Sequence, residues 1–290
     1  MQRRSLVTSV VLLCLLVVSV SPAFAAALGA EGSQGEVGTE LHYFKYEEPD
    51  IMEEDGLMFG IYGKYTYRTH ENTKIEKLED VFSGGNTLNA FTAEGKFSFG
   101  QVDYTSNSTG SIDDISDYLF EVRGLAGYDV PAGADNLVTP YVGLGYRYWV
   151  DMLGGETSTT GHAGYDRESN YLYLPLGVNV GVPLQSGWSL GANVEFDVFL
   201  WGRQKSHLED VSSSLNTLEN DQNDGWGVRG SLTVKKEMEG IDLVAEPFIR
   251  YWSIEDSDIG TVTCGGTPCA LGYEPKNRTI EAGVRLGAKF

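Results

Sequence analysis

Few residues of this chain carry nucleophilic or metal-ligating groups, and most of those stand apart from one another. Ser169 and His162 fall together in GHAGYDRESNYLYLP, but serines near histidines are common in loops and nothing in that stretch orients a triad. No G-x-S-x-G elbow presents a serine nucleophile. Cys264 and Cys269, in TCGGTPC, suit one short disulfide in an oxidising compartment. The competing zinc reading lacks a nearby histidine or second cysteine pair to complete four ligands. The run EEPDIMEED lacks the ligand spacing of an EF-hand and reads as a solvated acidic loop, with loose calcium or magnesium binding as its alternative. No metal site and no cofactor are expected.

Charged residues of both signs are instead spread along the chain at every second position of otherwise apolar segments: Glu94, Lys96, Glu121, Arg123, Arg147, Asp151, Glu195, Asp197, Arg229, Glu246, Arg250, Glu281, Arg285 and Lys289. Such alternation specifies strands with one apolar and one polar face. In the closing TIEAGVRLGAKF, Ile280, Ala282, Val284, Leu286, Ala288 and Phe290 share one face, opposite Glu281, Arg285 and Lys289. Likewise Phe91, Ala93, Phe97 and Phe99 oppose Glu94, Lys96 and Ser98, and Leu190, Val194, Phe196 and Val198 oppose Asn193, Glu195 and Asp197. A soluble sheet turns the apolar face to a core, whereas a transmembrane barrel turns it to lipid and the charged face to a lumen.

The N-terminus favours the second geometry. Arg3 and Arg4 precede an apolar run over residues 6–20 and the small-residue sequence Ser21-Pro22-Ala23-Phe24-Ala25, the pattern of a secretory signal peptide cleaved after Ala25. Cys14 lies inside the apolar run, after Leu13, so no lipid anchor is expected. Residues 26–290 then form a single domain. Loss of two arginines moves the formal charge from −20 to −22, which opposes binding to nucleic-acid phosphates. Beyond the signal no apolar run approaches the roughly 20 residues of a membrane helix, and a membrane protein without helices must be a closed barrel.

The expected fold is therefore all-β: a transmembrane antiparallel up-and-down barrel of about ten strands, within a range of roughly eight to twelve. The connections VPAGADN, PLQSG and EMEG are short, whereas those around residues 152–169, 203–223 and 254–278 are long, as expected for periplasmic turns and external loops. Two connections fit less well. THENTKIEKLEDVFSGGNTLN is long for a periplasmic turn and suggests a short helix near residues 74–81 or an extended strand, and EEPDIMEEDG is a short external loop. Tyr65, Tyr67, Tyr118, Tyr128, Tyr146, Tyr148 and Tyr251 fall near strand ends on the lipid-facing register, as interfacial girdles require.

The signal peptide, alternating strands and terminal GVRLGAKF resemble bacterial outer-membrane β-barrel proteins over essentially the whole mature chain. The resemblance implies residence in the bacterial outer membrane after export, contact with its lipid and lipopolysaccharide, and recognition of the terminal strand with Phe290 by the barrel-assembly machinery. Ten strands is also the size of the omptin outer-membrane proteases. That likeness points to Asp113 and Asp114, with Asp117 close by, in the second external loop, and to His207 and Asp210 of HLED in the fourth, as a water-activating pair of pairs. Here the aspartates are adjacent and the histidine precedes its aspartate, which departs from the omptin pattern. Inside the barrel, Glu246 and Arg250 are expected to face Glu281 and Arg285 across neighbouring strands. The favoured function is a structural or surface-binding barrel with a narrow, plugged lumen; a small diffusion channel and a loop-borne protease are the alternatives.

Overall fold

The computed structural model describes residues 32–69, 88–133 and 135–290. The signal peptide and the central part of the THENT connection lie outside these residues. Ten long strands form the wall: β1 (Ser33–Glu48), β2 (Met52–Arg68), β3 (Ala90–Ser106), β4 (Gly110–Gly127), β5 (Asn136–Met152), β6 (Arg167–Pro183), β7 (Trp188–Ser206), β8 (Gly225–Met238), β9 (Ile241–Ile254) and β10 (Asn277–Lys289). Each pairs antiparallel with its sequence neighbours. The ring closes where β10 pairs with β1, Leu41 opposite Val284. The chain thus folds as an all-β, up-and-down antiparallel barrel. At the seam Gly35 and Phe290 exchange two backbone hydrogen bonds of 2.9 Å, so the terminal aromatic residue is part of the closing joint.

The alternation read from the sequence sets which face is outside. Leu41, Leu57, Ile61, Phe97, Phe120, Leu144, Val194, Leu232, Ile249 and Leu286 are exposed on the outer wall, while Glu94, Lys96, Glu121, Arg147, Glu195, Asp197, Arg229, Arg250 and Glu281 are buried inside. This inverts a soluble protein's arrangement and is what a wall bathed in hydrocarbon requires.

The strands run to 19 residues, well beyond the roughly 10 that cross a bilayer at a tilt. The surplus lies at the long-loop end. There the outward residues change from apolar to polar, from Tyr43 to Lys45 and Glu47 on β1 and from Phe99 to Gln101 and Asp103 on β3. Two expectations are corrected as a result. EEPDIMEED is not a loop: only the turn at Pro49, Asp50 and Ile51 leaves the sheet, and Glu48 and Glu54 point inward from β1 and β2. Asp113, Asp114 and Asp117 are not loop residues either, because β4 begins at Gly110. A bulge between Val102 and Tyr104 puts Asp114 in the left-handed region, at φ 62°.

The remaining elements decorate that end. Leu218–Gln222 pairs with β7 ahead of β8. Gly260–Cys264 and Thr267–Gly272 form a hairpin whose tip carries the Cys264–Cys269 disulfide.

Candidate functional site

The interior is organised in two charged layers. The first, at mid-height, is an interlocked network. Glu281 on β10 receives Lys96 of β3 at 2.8 Å, Arg250 of β9 at 2.8 Å and Arg147 of β5. Glu40 on β1 receives Arg250 at 3.0 Å and Arg285 at 2.9 Å. Arg285 also reaches Glu94 at 3.0 Å and Glu246 at 3.5 Å. Arg123 bridges Glu94 and Glu195 at 2.8 and 2.6 Å. Arg229 of β8 contacts Glu121 of β4, Glu195 at 3.1 Å and Asp197 at 2.7 Å.

Backbone register accounts for part of this set. Arg250 lies opposite Glu281 and Glu246 opposite Arg285 on paired strands. Lys96–Glu281, Arg147–Glu281 and Arg229–Glu121 instead cross the lumen between strands that are not neighbours. Two glycines help place the tyrosines that complete the layer. A Cβ at Gly145 would meet the Tyr173 ring at 2.1 Å, and one at Gly177 the Tyr141 ring at 2.3 Å. The bare backbone lets both rings lie against the wall, where Tyr173 donates to Glu121 and Tyr141 to Glu195. Lys289 stands apart at the short-turn end, in register with Glu36 and Asp242.

His42 was not singled out by the sequence. It lies at the centre of the layer, 3.3 Å from Glu40 and 3.7 Å from Glu281, and the three residues' ligand atoms are close enough to hold a metal. The chemistry disfavours it: Lys96, Arg147, Arg250 and Arg285 already neutralise these two glutamates, and a metal ion would be repelled by all four.

The second layer lies one level toward the long loops. Asp117, Asp151, Arg167 and Ser206 succeed one another in register on β4 to β7, and Tyr46 lies beside Glu54 on β1 and β2. Arg167 binds Glu48 at 2.6 Å, the Tyr46 hydroxyl at 3.1 Å and the loop residue Glu274. Burial, partly opposed by Arg167, raises the Glu274 carboxyl to about 7. Asp117 accepts a 2.7 Å bond from the Trp149 indole, and an apolar cluster with Phe44, Met52 and Ile115 surrounds the layer. Asp151, read from the sequence with the lumen charges, belongs here.

Cavities open at both ends. One of about 230 Å³ at the short-turn end reaches Arg123, Tyr141 and Arg285, and one of about 420 Å³ at the long-loop end reaches Glu48, Arg167 and Glu274. No residue lines both.

The four residues singled out for loop chemistry do not converge. His207 hydrogen-bonds Glu168 at 2.9 Å and Glu209 at 3.1 Å. Its partial burial works against the imidazolium, but those two carboxylates outweigh it and raise its pKa. Asp210 accepts from the Asp166 amide at 3.0 Å. Asp113 and Asp114 are exposed on β4. Among the described residues no hydrogen bond or ion pair links either aspartate to His207 or Asp210. Ser169 donates to Gln204, away from His162, which contacts Thr160 at 2.9 Å.

No protein-family model and no curated protein matches this chain. Among solved structures it is similar to the outer membrane protease OmpT from Escherichia coli, with a TM-score of 0.62 over 90% of this chain and 96% of that one, at 8% identity. The fold is that of an omptin-sized outer-membrane β-barrel. The translocator domain of the autotransporter NalP from Neisseria meningitidis aligns with a TM-score of 0.42 over 92% of each chain, at 13% identity. At 8% identity the likeness of this barrel to OmpT is one of architecture, and its function rests on its own residues.

Proposed function

We propose that the protein is an exported, integral outer-membrane barrel, closed to diffusion by its mid-height charge network, and that its role is structural or surface-binding, carried by the loops around the 420 Å³ cavity. The observation that carries this reading is that ion pairs join strands across the lumen, β3 and β5 to β10 and β4 to β8. A conducting pore needs hydrated space along its axis, whereas these side chains consume the interior of a narrow barrel. The long loops face outward and the short turns face the periplasm, and the outer band meets lipid and lipopolysaccharide. β10, with Phe290 directly after it, is the segment read by the barrel-assembly machinery. OmpT is a protease, but Asp113, Asp114, His207 and Asp210 are not assembled here, so a hydrolytic role has no support from the geometry.

Single-channel recording of the refolded protein in a planar bilayer tests the reading. The intact barrel is expected to be silent, and the Arg250→Ala, Arg285→Ala double variant to leak. Discrete conductance steps in the unaltered protein, with ion selectivity that shifts in the variant, would instead establish a channel.

A further inference from the structure

The outer layer has a charge imbalance that the closed-barrel reading does not use. Among the described residues, Glu48, Glu54, Asp117, Asp151 and Glu274 are all buried at this level, and Arg167 is the one cation in contact with any of them. Arg167 is committed to Glu48 and Glu274. That leaves Glu54, Asp117 and Asp151, each wholly buried. Both oxygens of Glu54, both of Asp151 and Oδ1 of Asp117 have no donor within reach. Glu54 and Asp151 are close enough to repel one another electrostatically, and neither supplies a cation to the other. The surroundings are Phe44, Met52 and Ile115, which solvate no charge, and Trp149, whose indole N–H is given to Asp117. Buried carboxylates are stable only when paired, protonated or bound to a metal.

We propose that Glu54 and Asp151 ligate a hard divalent cation, Ca²⁺ or Mg²⁺, with Asp117 as the adjacent negative charge, held in place by the Trp149 indole. The donor set is all carboxylate oxygen, which selects hard ions over zinc or copper. The contrast with the layer below gives the reason for choosing this place. Around His42 every carboxylate already has a guanidinium or ammonium partner, whereas at Asp151 none does. The long-loop cavity is lined at this level by Glu48, Met52 and Arg167, and Glu54, Asp117 and Asp151 lie outside its lining. The acidic segments EEPDIMEED and SIDDISD thereby supply an interior carboxylate each, the ligand Glu54 and the neighbouring charge Asp117, beside their exposed charges.

Terbium(III), a luminescent stand-in for Ca²⁺, tests the site in the full chain refolded in detergent micelles, because Trp149 is placed to sensitise it. Excitation of tryptophan should give saturable terbium emission that Ca²⁺ displaces. The Glu54→Gln, Asp151→Asn double variant should weaken binding at least tenfold. Trp149→Phe should remove most of the emission yet keep the rise in unfolding temperature that Ca²⁺ gives over a chelator. Emission that persists undiminished in the folded double variant would place the ion on exposed loop carboxylates and overturn the proposal. So would an unaltered protein whose unfolding temperature is the same in Ca²⁺ and chelator, a comparison that needs no variant to fold. A carboxylic-acid C=O infrared band that disappears in Glu54→Gln, without terbium binding, would assign the neutralisation to protons.

Discussion

At mid-height, seven carboxylates (Glu40, Glu94, Glu121, Glu195, Asp197, Glu246 and Glu281) interleave with six cations (Lys96, Arg123, Arg147, Arg229, Arg250 and Arg285); one level higher, five carboxylates accompany Arg167, which pairs with two of them. Both layers are buried, and both are built from opposed strands of the same wall. In the lower layer each charge has at least one partner of opposite sign, and several pairs join strands that are not neighbours, so desolvation is offset by contacts that also clamp the barrel across its axis. In the upper layer the apolar side chains that fill the barrel leave Glu54 and Asp151 without donors and Asp117 with the Trp149 indole alone, which costs stability unless something else neutralises them. Similar residues thus give a clamp in one layer and a site in the other, and the difference lies in the counter-ions.

The sharpest way to break this contrast is to remove one carboxylate from each layer. Glu281→Ala strands Lys96, Arg147 and Arg250 together, and should cost about 3–5 kcal/mol in urea unfolding of the micelle-refolded barrel. A loss below about 1 kcal/mol would mean the network relaxes around the gap and is no clamp. Glu54→Gln should act in the opposite sense in the presence of a chelator, raising stability by roughly 1–3 kcal/mol because it removes an unsatisfied buried charge. Added Ca²⁺ should shrink or reverse that gain. A variant less stable than the parent in chelator would show that the upper layer is as well satisfied as the lower.

The acid–base behaviour of the upper layer gives a smaller effect. The folded-state pKa of Glu274, about 7, lies above its ordinary value, so folding favours the protonated form. The stability this gives is fully present below the unfolded pKa near 4.5 and is lost as pH climbs through about 7. The loop spanning residues 255–276 should therefore exchange amide hydrogens faster at pH 8 than at pH 5, and Glu274→Gln should flatten the dependence. An unchanged profile in that variant would remove Glu274 as its source. Smallest of all, Cys264→Ser should make the 260–272 hairpin easier to cleave by protease while leaving barrel unfolding unchanged, since the hairpin pairs internally and lies outside the ring. A shift of the whole unfolding curve would contradict that separation.

Sequence legibility follows the same division. Glu94, Lys96, Arg147, Glu195, Arg229 and Glu281 were readable as interior residues because lipid on the outer wall forces their neighbours to be apolar. Glu48 and Glu54 were not. Above the hydrocarbon band the outer face meets water, so Glu53 and Asp55 are as polar as the Glu54 between them, and a continuous strand reads as an acidic loop. Arg167 and Glu274 were missed for the same reason, and Glu40 and His42 because β1 is the weakest alternation in the chain. The loop pair of His207 and Asp210 follows from the resemblance to omptin loops, and the structure shows both side chains engaged with other partners.

By itself the sequence determined the period-two pattern, the approximate number of strands, the face that meets an apolar solvent and the terminal strand with its aromatic end, since each is a local consequence of which residues tolerate lipid. Only the tertiary structure decided which interior charges meet. Lys96 and Glu281 are 185 residues apart and come together because the ring closes between β1 and β10. The stagger of the strands sets the levels at which side chains face one another, so balance at Glu281 and imbalance at Asp151 are properties of a closed barrel that no single strand contains.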